Sequence, residues 1–416
     1  MKKKFLLLFL STLLVTMISG CSSDDPENTL TEPPTPISLT ETERATMNQL
    51  KDFDITFTAD VCKFLDVSSE GTNMVCSPLG AEMLFSLISN GMSPADRPGI
   101  LAYLGVDNQE NLNALNRTLI NKLPSRDKNT KIRINNSLWV NSDFGGILTP
   151  EFQTTVTDIY ACEISNLSFG SDPAETVRQI NNWIAAKTNG IENSYFIRIN
   201  TEVFAVALNT LYFKAIWSKN IFKKENTHKA IFHGLHHEAE VDMMKSRVID
   251  DQYAEDEFFH YFTLDLGNQA FGMTILYPKD NVSMDQALEA LTPERVKNLK
   301  ENLNTAFLHI EMPRFALETS LDLNNLFSTF NIDSFNKSFT FSMFTPNREG
   351  TITFSQGASL TINEEGAEAS ATTSGAGALI ADIHQDINLT LDHPFFFFIR
   401  EYSTGTTVLS GRVANL

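Results

Sequence analysis

The chain has 416 residues, with 51 acidic and 32 basic side chains and a formal net charge of −19 at pH 7. So acidic a chain repels phosphate backbones and anionic lipid, which argues against nucleic-acid binding and against charge-driven binding to membranes. Its length alone would suggest two or three domains at about 150 residues each. Beyond residue 45, however, the sequence contains no linker, repeat or low-complexity tract, so we expect a single domain over residues 46–416.

The N-terminal residues have the pattern of a secretory signal. Three lysines at positions 2–4 precede an apolar run over residues 5–18, and small residues then lead to Cys21. About 14 apolar residues are too few to span a bilayer comfortably, so a transmembrane anchor is the less favoured interpretation. The ending Ile-Ser-Gly-Cys resembles a bacterial lipobox, which implies a lipoprotein signal peptide over residues 1–20 and lipidation of Cys21.

Residues 21–45 are typical of an acidic, flexible tether, because they are rich in Pro, Thr, Glu and Asn and lack apolar periodicity. Their start, Ser-Ser-Asp-Asp at residues 22–25, resembles the export tag that follows the lipidated cysteine in some Gram-negative outer-membrane lipoproteins. The resemblance implies a lipid anchor in the outer membrane, at the cell surface of a Gram-negative bacterium.

Helical periodicity dominates the first half of the domain. Ser77 followed by Pro78 offers an N-cap and a proline at the first helical position, so a helix is expected to begin there. Residues 203–213, VFAVALNTLYF, are almost continuously apolar and predict a central strand that is buried on both faces. The remaining predicted elements are helices near residues 50–65, 109–123, 150–159 and 173–187 and a strand over residues 132–140.

Strands dominate the second half of the domain. Residues 392–394, Asp-His-Pro, mark a turn before the most hydrophobic stretch of the mature chain at residues 395–398. Helices that precede and cover several strand-rich sheets predict an α+β protein. The predicted strands cover residues 258–264, 271–277, 306–312, 351–362, 389–400 and 406–413.

The most unusual segment covers residues 363–382, which contain almost no bulky side chain. It follows the strand predicted at 351–362, and Glu364, Glu365 and Gly366 mark a turn between the two. With the period of a strand, small residues would line one face and polar residues the other. Such a segment suits a loop in one state and an inserted strand in another. The small face would carry Ala367, Ala369, Ala371, Thr373 and Gly375.

The run EEGAEASAT at residues 364–372 resembles the proximal hinge of the reactive loop of inhibitory serpins. Six further segments resemble serpin segments and occur in the family's order, so the resemblance covers about residues 46–416. On these motifs the chain is identified as a member of the serpin family. The six segments are residues 73–79 (NMVCSPL), 209–217 (NTLYFKAIW), 241–245 (VDMMK), 311–315 (EMPRF), 392–398 (DHPFFFF) and 411–413 (GRV).

The resemblance implies an α+β serpin fold with about three β-sheets, a large central sheet, eight to nine helices and an exposed reactive-centre loop near residues 363–388. It also implies a suicide mechanism, in which a protease cleaves the loop, forms an acyl-enzyme and is trapped when the loop inserts into the central sheet. The chain would then be a monomeric protease inhibitor, not an enzyme, without cofactor or metal. The residues that the resemblance assigns to the hinge are Glu364, Gly366, Ala367, Ala369, Ala371 and Thr373.

Counting along the family's usual spacing from the hinge puts the attacked bond between Ile380 and Ala381. The bonds Leu379–Ile380 and Ala381–Asp382 remain alternatives. A β-branched residue before the bond suits shallow elastase-type pockets, whereas a leucine there suits chymotrypsin- or subtilisin-like ones. No Lys or Arg occurs between residues 366 and 393, which argues against trypsin-like targets. Papain-like cysteine proteases stay open as targets.

The resemblance further assigns Ser77, Gly80, Gln356, Asn209 and Trp217 to the shutter and the breach, the regions that hold the central sheet closed. Two of these residues depart from the family's pattern. Gly80 replaces the second serine of Ser-Pro-x-Ser, and Gln356 replaces a histidine. A glutamine side chain still donates and accepts hydrogen bonds, but the details of the shutter are open in this chain.

With Cys21 lipidated, an odd number of cysteines remains: Cys62, Cys76 and Cys162. We favour three buried free thiols over a bridge between Cys62 and Cys76.

Competing sites are few. His233, His236, His237 and Glu238 lie close in sequence, but on a strand or turn their spacing defines no common face, so a metal site is not favoured. The chain has no Gly-x-Ser-x-Gly elbow, no phosphate-binding glycine loop and no Cys-x-x-Cys pair.

A second functional class is a non-inhibitory surface lipoprotein that uses the serpin fold to bind a ligand. Such a protein would be expected to carry bulky, charged or proline residues in the hinge, and this hinge has no Pro and no large side chain on its small face.

Overall fold

The computed structural model of the protein describes residues 34–69, 71–188, 199–330, 338–367 and 385–416. Helices dominate the first half of the described chain and strands the second, so the predicted α+β class is confirmed. The helices are α1 (Glu41–Gln49), α2 (Phe53–Ser69), α3 (Pro78–Ser89), α4 (Arg97–Leu104), α5 (Gln109–Lys122), α6 (Pro150–Tyr160), α7 (Pro173–Lys187), α8 (Met284–Ala290), α9 (Pro293–Glu301) and α10 (Leu323–Thr329).

The strands form two large sheets and two pairs. The first ten strands are β1 (Met74–Cys76), β2 (Thr130–Asn141), β3 (Ile147–Leu148), β4 (Cys162–Leu167), β5 (Ala205–Ile216), β6 (His228–His233), β7 (Glu238–Lys245), β8 (Ile249–Glu255), β9 (Phe259–Leu266) and β10 (Phe271–Pro278). The others are β11 (Asn304–Pro313), β12 (Phe315–Asp322), β13 (Phe339–Phe341), β14 (Phe344–Thr345), β15 (Arg348–Gly350), β16 (Ile352–Ile362), β17 (Gly366–Ala367), β18 (Gln385–Thr390), β19 (Phe395–Glu401) and β20 (Thr407–Val413).

The six-stranded sheet has the order β12–β16–β5–β2–β4, and β17 adds to β5. Its central strand β5 is buried along its length except at Lys214 and Ile216, which are half-buried. A strand between two neighbours and beneath helices has no face left for water, which explains its apolar sequence. The strand predicted over residues 203–213 is therefore confirmed, with its bounds displaced to Ala205 and Ile216.

The two faces of this sheet pack differently. On one face, Val206 and Leu208 of β5 join Trp139 and the apolar stripe of α7 in a small cluster. On the other face, Leu211 and Phe213 belong to the main core. That core also holds α3, which is buried over its whole length and contacts both β5 and β20. The N-cap and proline predicted for α3 are present, because the Ser77 hydroxyl accepts from the N–H of Gly80 and Pro78 opens the helix.

The ten-stranded sheet follows the order β1–β20–β19–β10–β9–β8–β11–β7–β6, with β18 paired to β11. The phenylalanines at residues 395–398 lie in β19, between β10 and β20, and are fully buried. They anchor the second large sheet in the core.

The single strand predicted over residues 389–400 is wrong, because the structure divides it into β18 and β19. The two strands have different partners: β18 runs parallel to β11, whereas β19 lies between β10 and β20. Pro394 lacks an N–H and cannot continue a ladder, so the turn at residues 392–394 separates the two strands. Strands β4 and β12, at the two edges of the six-stranded sheet, had no prediction.

The tether expected over residues 21–45 overlaps packed structure. Helix α1 begins at Glu41 with a capping box between Thr40 and Glu43, and Ile37 is only 8% exposed. The packed part of the chain therefore starts before residue 46, since Ile37 and the cap fix residues that the composition suggested were flexible. Over the described ranges, no helix is long and apolar enough to cross a membrane.

Candidate functional site

Strand β16 ends at Ile362, and the chain then reverses in a tight turn. The N–H of Asn363 donates to the carbonyl oxygen of Gly366 (3.0 Å), and the N–H of Gly366 donates back to the carbonyl oxygen of Asn363 (3.1 Å). Gly366 has a φ of +121°, and a Cβ there would lie 2.3 Å from the carbonyl oxygen of Ala215. Both the backbone conformation and the close approach require glycine. The turn lies where the Glu-Glu-Gly sequence predicts it.

After this turn, β17 starts a new strand against β5. Gly366 pairs with Ile216, and Ala367 pairs with Ala215, in antiparallel register. The other edge of β5 is already occupied by β2, so β17 lies on the side of β5 that faces β16.

Further along β5, that same side is occupied by β16 itself. The two strands pair in parallel, and their ladder ends at Ala358 and Leu211. Beyond this point, β16 continues to Ile362 while paired only with β12. Strands β16 and β5 thus separate toward one end of the sheet, and β17 enters where they part.

Glu364, in the turn, is buried with only 5% of its surface exposed. Arg314 donates to both carboxylate oxygens, with Nε 3.0 Å from Oε1 and 2.9 Å from Oε2 and with Nη2 2.5 Å from Oε1. The Thr227 hydroxyl donates to the same carboxylate. Burial on its own raises the pKa of Glu364, but the bonds from Arg314 and Thr227 outweigh it and hold the pKa below its ordinary value. The ionised carboxylate therefore ties the turn to the end of β11.

Trp217 closes the top of β5 beneath this turn. Its indole Nε1 donates to the carbonyl oxygen of Asn363 (2.8 Å), and its backbone N–H donates to the carbonyl oxygen of Glu365 (3.2 Å). Its ring meets Phe222 edge to face at 5.5 Å and is 1% exposed. An additional ion pair joins Lys224 to Glu365 at 3.0 Å. Trp217 thus fixes the position at which the chain reverses.

Halfway down the sheet, Gln356 of β16 lies opposite Asn209 of β5. The Gln356 amide makes two bonds to the backbone of Ser77, donating through Nε2 to its carbonyl oxygen (2.8 Å) and accepting at Oε1 from its N–H (2.9 Å). The Ser77 hydroxyl in turn donates to the carbonyl oxygen of Val408 (2.7 Å). Gln356 therefore holds β16 against the start of α3 without a titratable group.

Gly80 fits this arrangement because its missing side chain leaves room for Asn209. A Cβ on Gly80 would lie 2.0 Å from Asn209 Oδ1 and 3.1 Å from Gln356 Nε2. Asn209 donates through Nδ2 to Asn136 Oδ1 (2.8 Å), while its own Oδ1 is buried without a hydrogen-bond partner. The two departures from the family's pattern are therefore spatial neighbours of one another.

The structure brings together the turn residues Glu364 and Gly366 with Trp217, and separately Ser77, Gly80, Gln356 and Asn209. Ala367 pairs as described above. The remaining predicted site residues lie outside the described residues: Cys21, Ala369, Ala371, Thr373, Leu379, Ile380, Ala381 and Asp382.

Sequence reasoning missed Arg314 and Thr227 as partners of Glu364. Arg314 lies in the segment EMPRF, so its position in a serpin-like motif could have drawn attention to it. Thr227 gives no such signal, because an isolated threonine after a short turn has many possible roles.

Cys62, Cys76 and Cys162 are free and buried, which confirms the three thiols and excludes the Cys62–Cys76 bridge. Burial raises the pKa of both Cys62 and Cys76 to about 12, so neither is a reactive thiolate. In the histidine cluster, His233 Nδ1 lies 2.9 Å from Glu238 Oε1 on an exposed hairpin. Within the part of the chain that is described, no three His, Cys, Asp or Glu side chains are arranged to hold a metal ion.

The fold and this site together define a protein with a central sheet entered at one end by the start of a further strand. A sequence model of the family described as "Serpin (serine protease inhibitor)" matches residues 54–416, which is most of the chain. The chain belongs to the serpin family.

Its similarity to individual relatives is modest. It is 24% identical to the leukocyte elastase inhibitor A of Rattus norvegicus over 89% of this chain and 100% of that protein, and 27% identical to Iripin-2 of Ixodes ricinus over 71% and 75%. Among solved structures, it resembles the thermophilic serpin tengpin in the native state, with a TM-score of 0.77, 23% identity and coverage of 92% and 97%. The predicted serpin fold is thereby confirmed.

Proposed function

We propose that the protein is a suicide-type inhibitor of serine proteases and that elastase-like enzymes are its targets. The pairing of β17 with β5 is the observation that carries this proposal. The first two residues after the turn already form an antiparallel ladder on the edge of β5 that an inserting strand would use.

The register of β17 supports insertion of the residues that follow it. In the same register, Ala369 would oppose Phe213, Ala371 would oppose Leu211 and Thr373 would oppose Asn209. Phe213 and Leu211 belong to the main core, so the small face of the segment would enter the core while its polar face turned outward. Small side chains allow this entry because they do not force the two flanking strands apart.

Insertion would exchange one ladder for two. In the described state β16 and β5 pair directly from Ile352–Ala205 to Ala358–Leu211. An inserted strand would replace this parallel ladder with one antiparallel ladder to each of them, and antiparallel pairing is the slightly more stable kind. This gain favours the inserted state. The state in which β16 and β5 pair directly is then metastable, and insertion releases its excess free energy.

Cleavage would trigger the release. The protease nucleophile attacks the carbonyl carbon of Ile380, a covalent acyl-enzyme forms, and the amide nitrogen of Ala381 leaves with the C-terminal fragment. The segment before Ile380 is then free at one end and inserts with the protease attached. Elastase-type specificity is supported by the β-branched residue before this bond and by the names of the relatives, several of which are leukocyte elastase inhibitors.

Four proteases test this proposal: pancreatic elastase, subtilisin, trypsin and papain. With elastase, we expect an SDS-stable complex and a released peptide that begins at Ala381. With trypsin, we expect no SDS-stable complex. A peptide beginning at Ile380 or Asp382 would show that the cleaved bond lies one residue away from Ile380–Ala381. A stable complex with papain alone would show that the targets are cysteine proteases. Cleavage by all four enzymes without any stable complex would favour the non-inhibitory alternative.

The hinge variant Ala367→Arg tests insertion itself. A large cation opposite Ala215, which is 1% exposed, should stall the strand at its second residue, so the variant should be cleaved as a substrate with little complex. Ala316→Arg places the same charge at an exposed position of β12 in the same sheet and should inhibit normally. A full yield of complex from Ala367→Arg would contradict insertion at this register.

We further propose that Cys21 carries a lipid anchor that holds the inhibitor in the outer membrane, at the cell surface. The sequence pattern of residues 1–25 supports this. Metabolic labelling with a palmitate analogue should mark the wild-type chain and not Cys21→Ser, and proteinase treatment of intact cells should remove the surface-exposed domain. Equal labelling of both chains would exclude Cys21 as the anchor.

A further inference from the structure

Residues 34–40, here called the N-terminal strap, precede the part of the chain that the family model matches. Ile37 is buried, and Leu39 packs half-buried against the main core. Thr40 then caps α1. The strap is therefore an ordered part of the domain.

The strap closes a ring of hydrogen bonds around a buried ion pair. Nε of Arg126 lies 2.6 Å from Oε1 of Glu401, and the two side chains are 5% and 0% exposed. Arg126 Nη1 donates to the carbonyl oxygen of Thr35 (3.1 Å). The N–H of Ile37 donates to the Ser403 hydroxyl (3.0 Å), which donates to Glu401 Oε1 (2.7 Å). The ring returns to Arg126 through the ion pair.

A buried ion pair needs every one of these partners. Burial on its own raises the pKa of Glu401, but the bonds from Arg126, Ser403 and Thr404 outweigh it and hold the pKa below its ordinary value. Without the strap, the guanidinium loses the Thr35 acceptor and the Ser403 hydroxyl loses the Ile37 donor. A buried charge that loses its partners is strongly destabilising, so the segments that carry the pair would loosen.

Two short paths lead from Arg126 to the hinge. The neighbouring Asp127 accepts through Oδ2 from the N–H of Asn268 (2.6 Å), and the preceding Gly267 donates its N–H to the carbonyl oxygen of Ile216 (2.8 Å). Ile216 is the residue that pairs with Gly366 of the hinge.

The second path runs through β2. Its first residue, Thr130, pairs with Ala215, and Ala215 pairs with Ala367. The ion pair is therefore linked, through the residues that follow Arg126, to the two residues of β5 against which β17 starts.

We propose that the N-terminal strap is a latch that restrains the hinge end of the six-stranded sheet. Bound to Arg126 and Ser403, it holds the start of β2 and the top of β5 in place. Release of the strap loosens both strands and lets the reactive loop insert without a protease, which inactivates the inhibitor. This last step rests on the proposed function, whereas the loosening of β2 and β5 does not.

Hydrogen exchange on the full-length chain tests the latch. Deletion of residues 22–38 removes the part of the strap that contacts Arg126 and Ser403, and deletion of residues 22–33 is the matched control that shortens only the tether. Relative to the control, the longer deletion should speed amide exchange about tenfold or more over residues 128–134 and 213–217. This is the size of effect expected when hydrogen bonds to a charged group are lost. Exchange within α7 should not change. Equal exchange of the two deletions over these residues would overturn the proposal.

A pair of point variants keeps the test decisive if the longer deletion does not fold. Ser403→Ala breaks the link between Ile37 and Glu401, while Thr404→Val removes a different hydroxyl from the same carboxylate without touching the strap. The exchange rates of residues 213–217 should rise in Ser403→Ala and change far less in Thr404→Val. Equal rises would mean that Glu401 solvation alone matters and would overturn the latch.

The inhibitory consequence is measured separately. At 37 °C, the longer deletion and Ser403→Ala should lose the capacity to form SDS-stable complex several-fold faster than their controls while remaining folded by circular dichroism. If the wild-type chain forms no complex with any protease, the proposed function fails, yet the exchange experiment still decides whether the strap holds β2 and β5. If amide exchange over residues 213–217 became faster but the capacity to form complex were lost at the same rate as in the controls, the proposed coupling between the strap and insertion of the reactive loop would be overturned.

Discussion

Gly80 of α3 and Asn209 of β5 fit closely against each other, and Gly80→Ala tests whether this fit stabilises the protein. Gly80 lies inside α3, where alanine is favoured over glycine by about 1 kcal/mol. In an unconstrained helix the substitution would therefore stabilise the protein. Here the new Cβ would lie 2.0 Å from Asn209 Oδ1, which is far shorter than any contact between two non-bonded heavy atoms.

The sign of the effect follows from the cost of moving Asn209. Its side chain must rotate, which breaks its bond to Asn136 at about 1 kcal/mol, and the inserted methyl overpacks a dense core at about 1–3 kcal/mol. Against the helical gain of about 1 kcal/mol, we expect a net loss of about 1–3 kcal/mol in the free energy of unfolding.

Urea unfolding followed by tryptophan fluorescence measures this loss, with Gly170→Ala as the control. Gly170 is exposed, and the nearest atom to its Cβ would be Asp143 Oδ2 at 3.1 Å. Adding Asn209→Ala to Gly80→Ala should recover part of the loss, because the clashing atom is then gone. A Gly80→Ala protein as stable as the wild type, or a double variant whose losses simply add, would refute this account of the Gly80–Asn209 fit.

Three further perturbations have signs fixed by the structure. Burial raises the pKa of Glu82 to about 8 from an ordinary 4.5. Its neutral form therefore contributes stability that is complete below about pH 4.5 and is lost as the pH rises through about 8. The free energy of unfolding of Glu82→Gln should rise relative to that of the wild type between pH 5 and 9, and parallel curves of unfolding free energy against pH would contradict this. Glu364→Gln should cost about 1–2 kcal/mol at pH 7, since bonds to a charged group are lost but Arg314 is partly screened by solvent. Because the pKa of Glu364 is lowered, that cost should shrink as the pH falls below its ordinary 4.5, and a cost independent of pH would argue against the ion pair. Gly366→Ala should lower the yield of SDS-stable complex. The control Gly405→Ala should not, because Gly405 also has a positive φ but has open space around it. Equal yields from the two variants would show that β17 does not need the close approach to β5.

Local sequence signals identified the elements that are governed by local physics. The Ser-Pro start of α3, the apolar run of β5 and the turn at Gly366 each follow from residues adjacent in the chain. Edge strand β4 was missed because its residues show a mixed pattern of burial, which resembles a loop in sequence. Edge strand β12 does alternate, with Phe315, Leu317 and Leu321 buried between more exposed residues, so its sequence carried a strand signal that the prediction did not use.

The contacts within the site depend on residues that are far apart in sequence. Arg314 and Glu364 meet only because β11 and β16 end at the same place, and no periodicity carries that information. Gly80 and Gln356 were predicted to belong to one region, but the sequence did not show that Asn209 contacts both positions and so explains the missing side chain at Gly80.

The direction of the β16–β5 ladder has a consequence for how the chain is made. Strand β5 is synthesised before β16, and both leave the ribosome before residue 367 and the segment behind it. If that segment inserts as proposed, the parallel contact between Ile352–Ala358 and Ala205–Leu211 can form before the competing strand has emerged from the ribosome. The order of synthesis thereby favours the closed sheet, and a circularly permuted chain in which residues 363–390 came first would lose that temporal advantage.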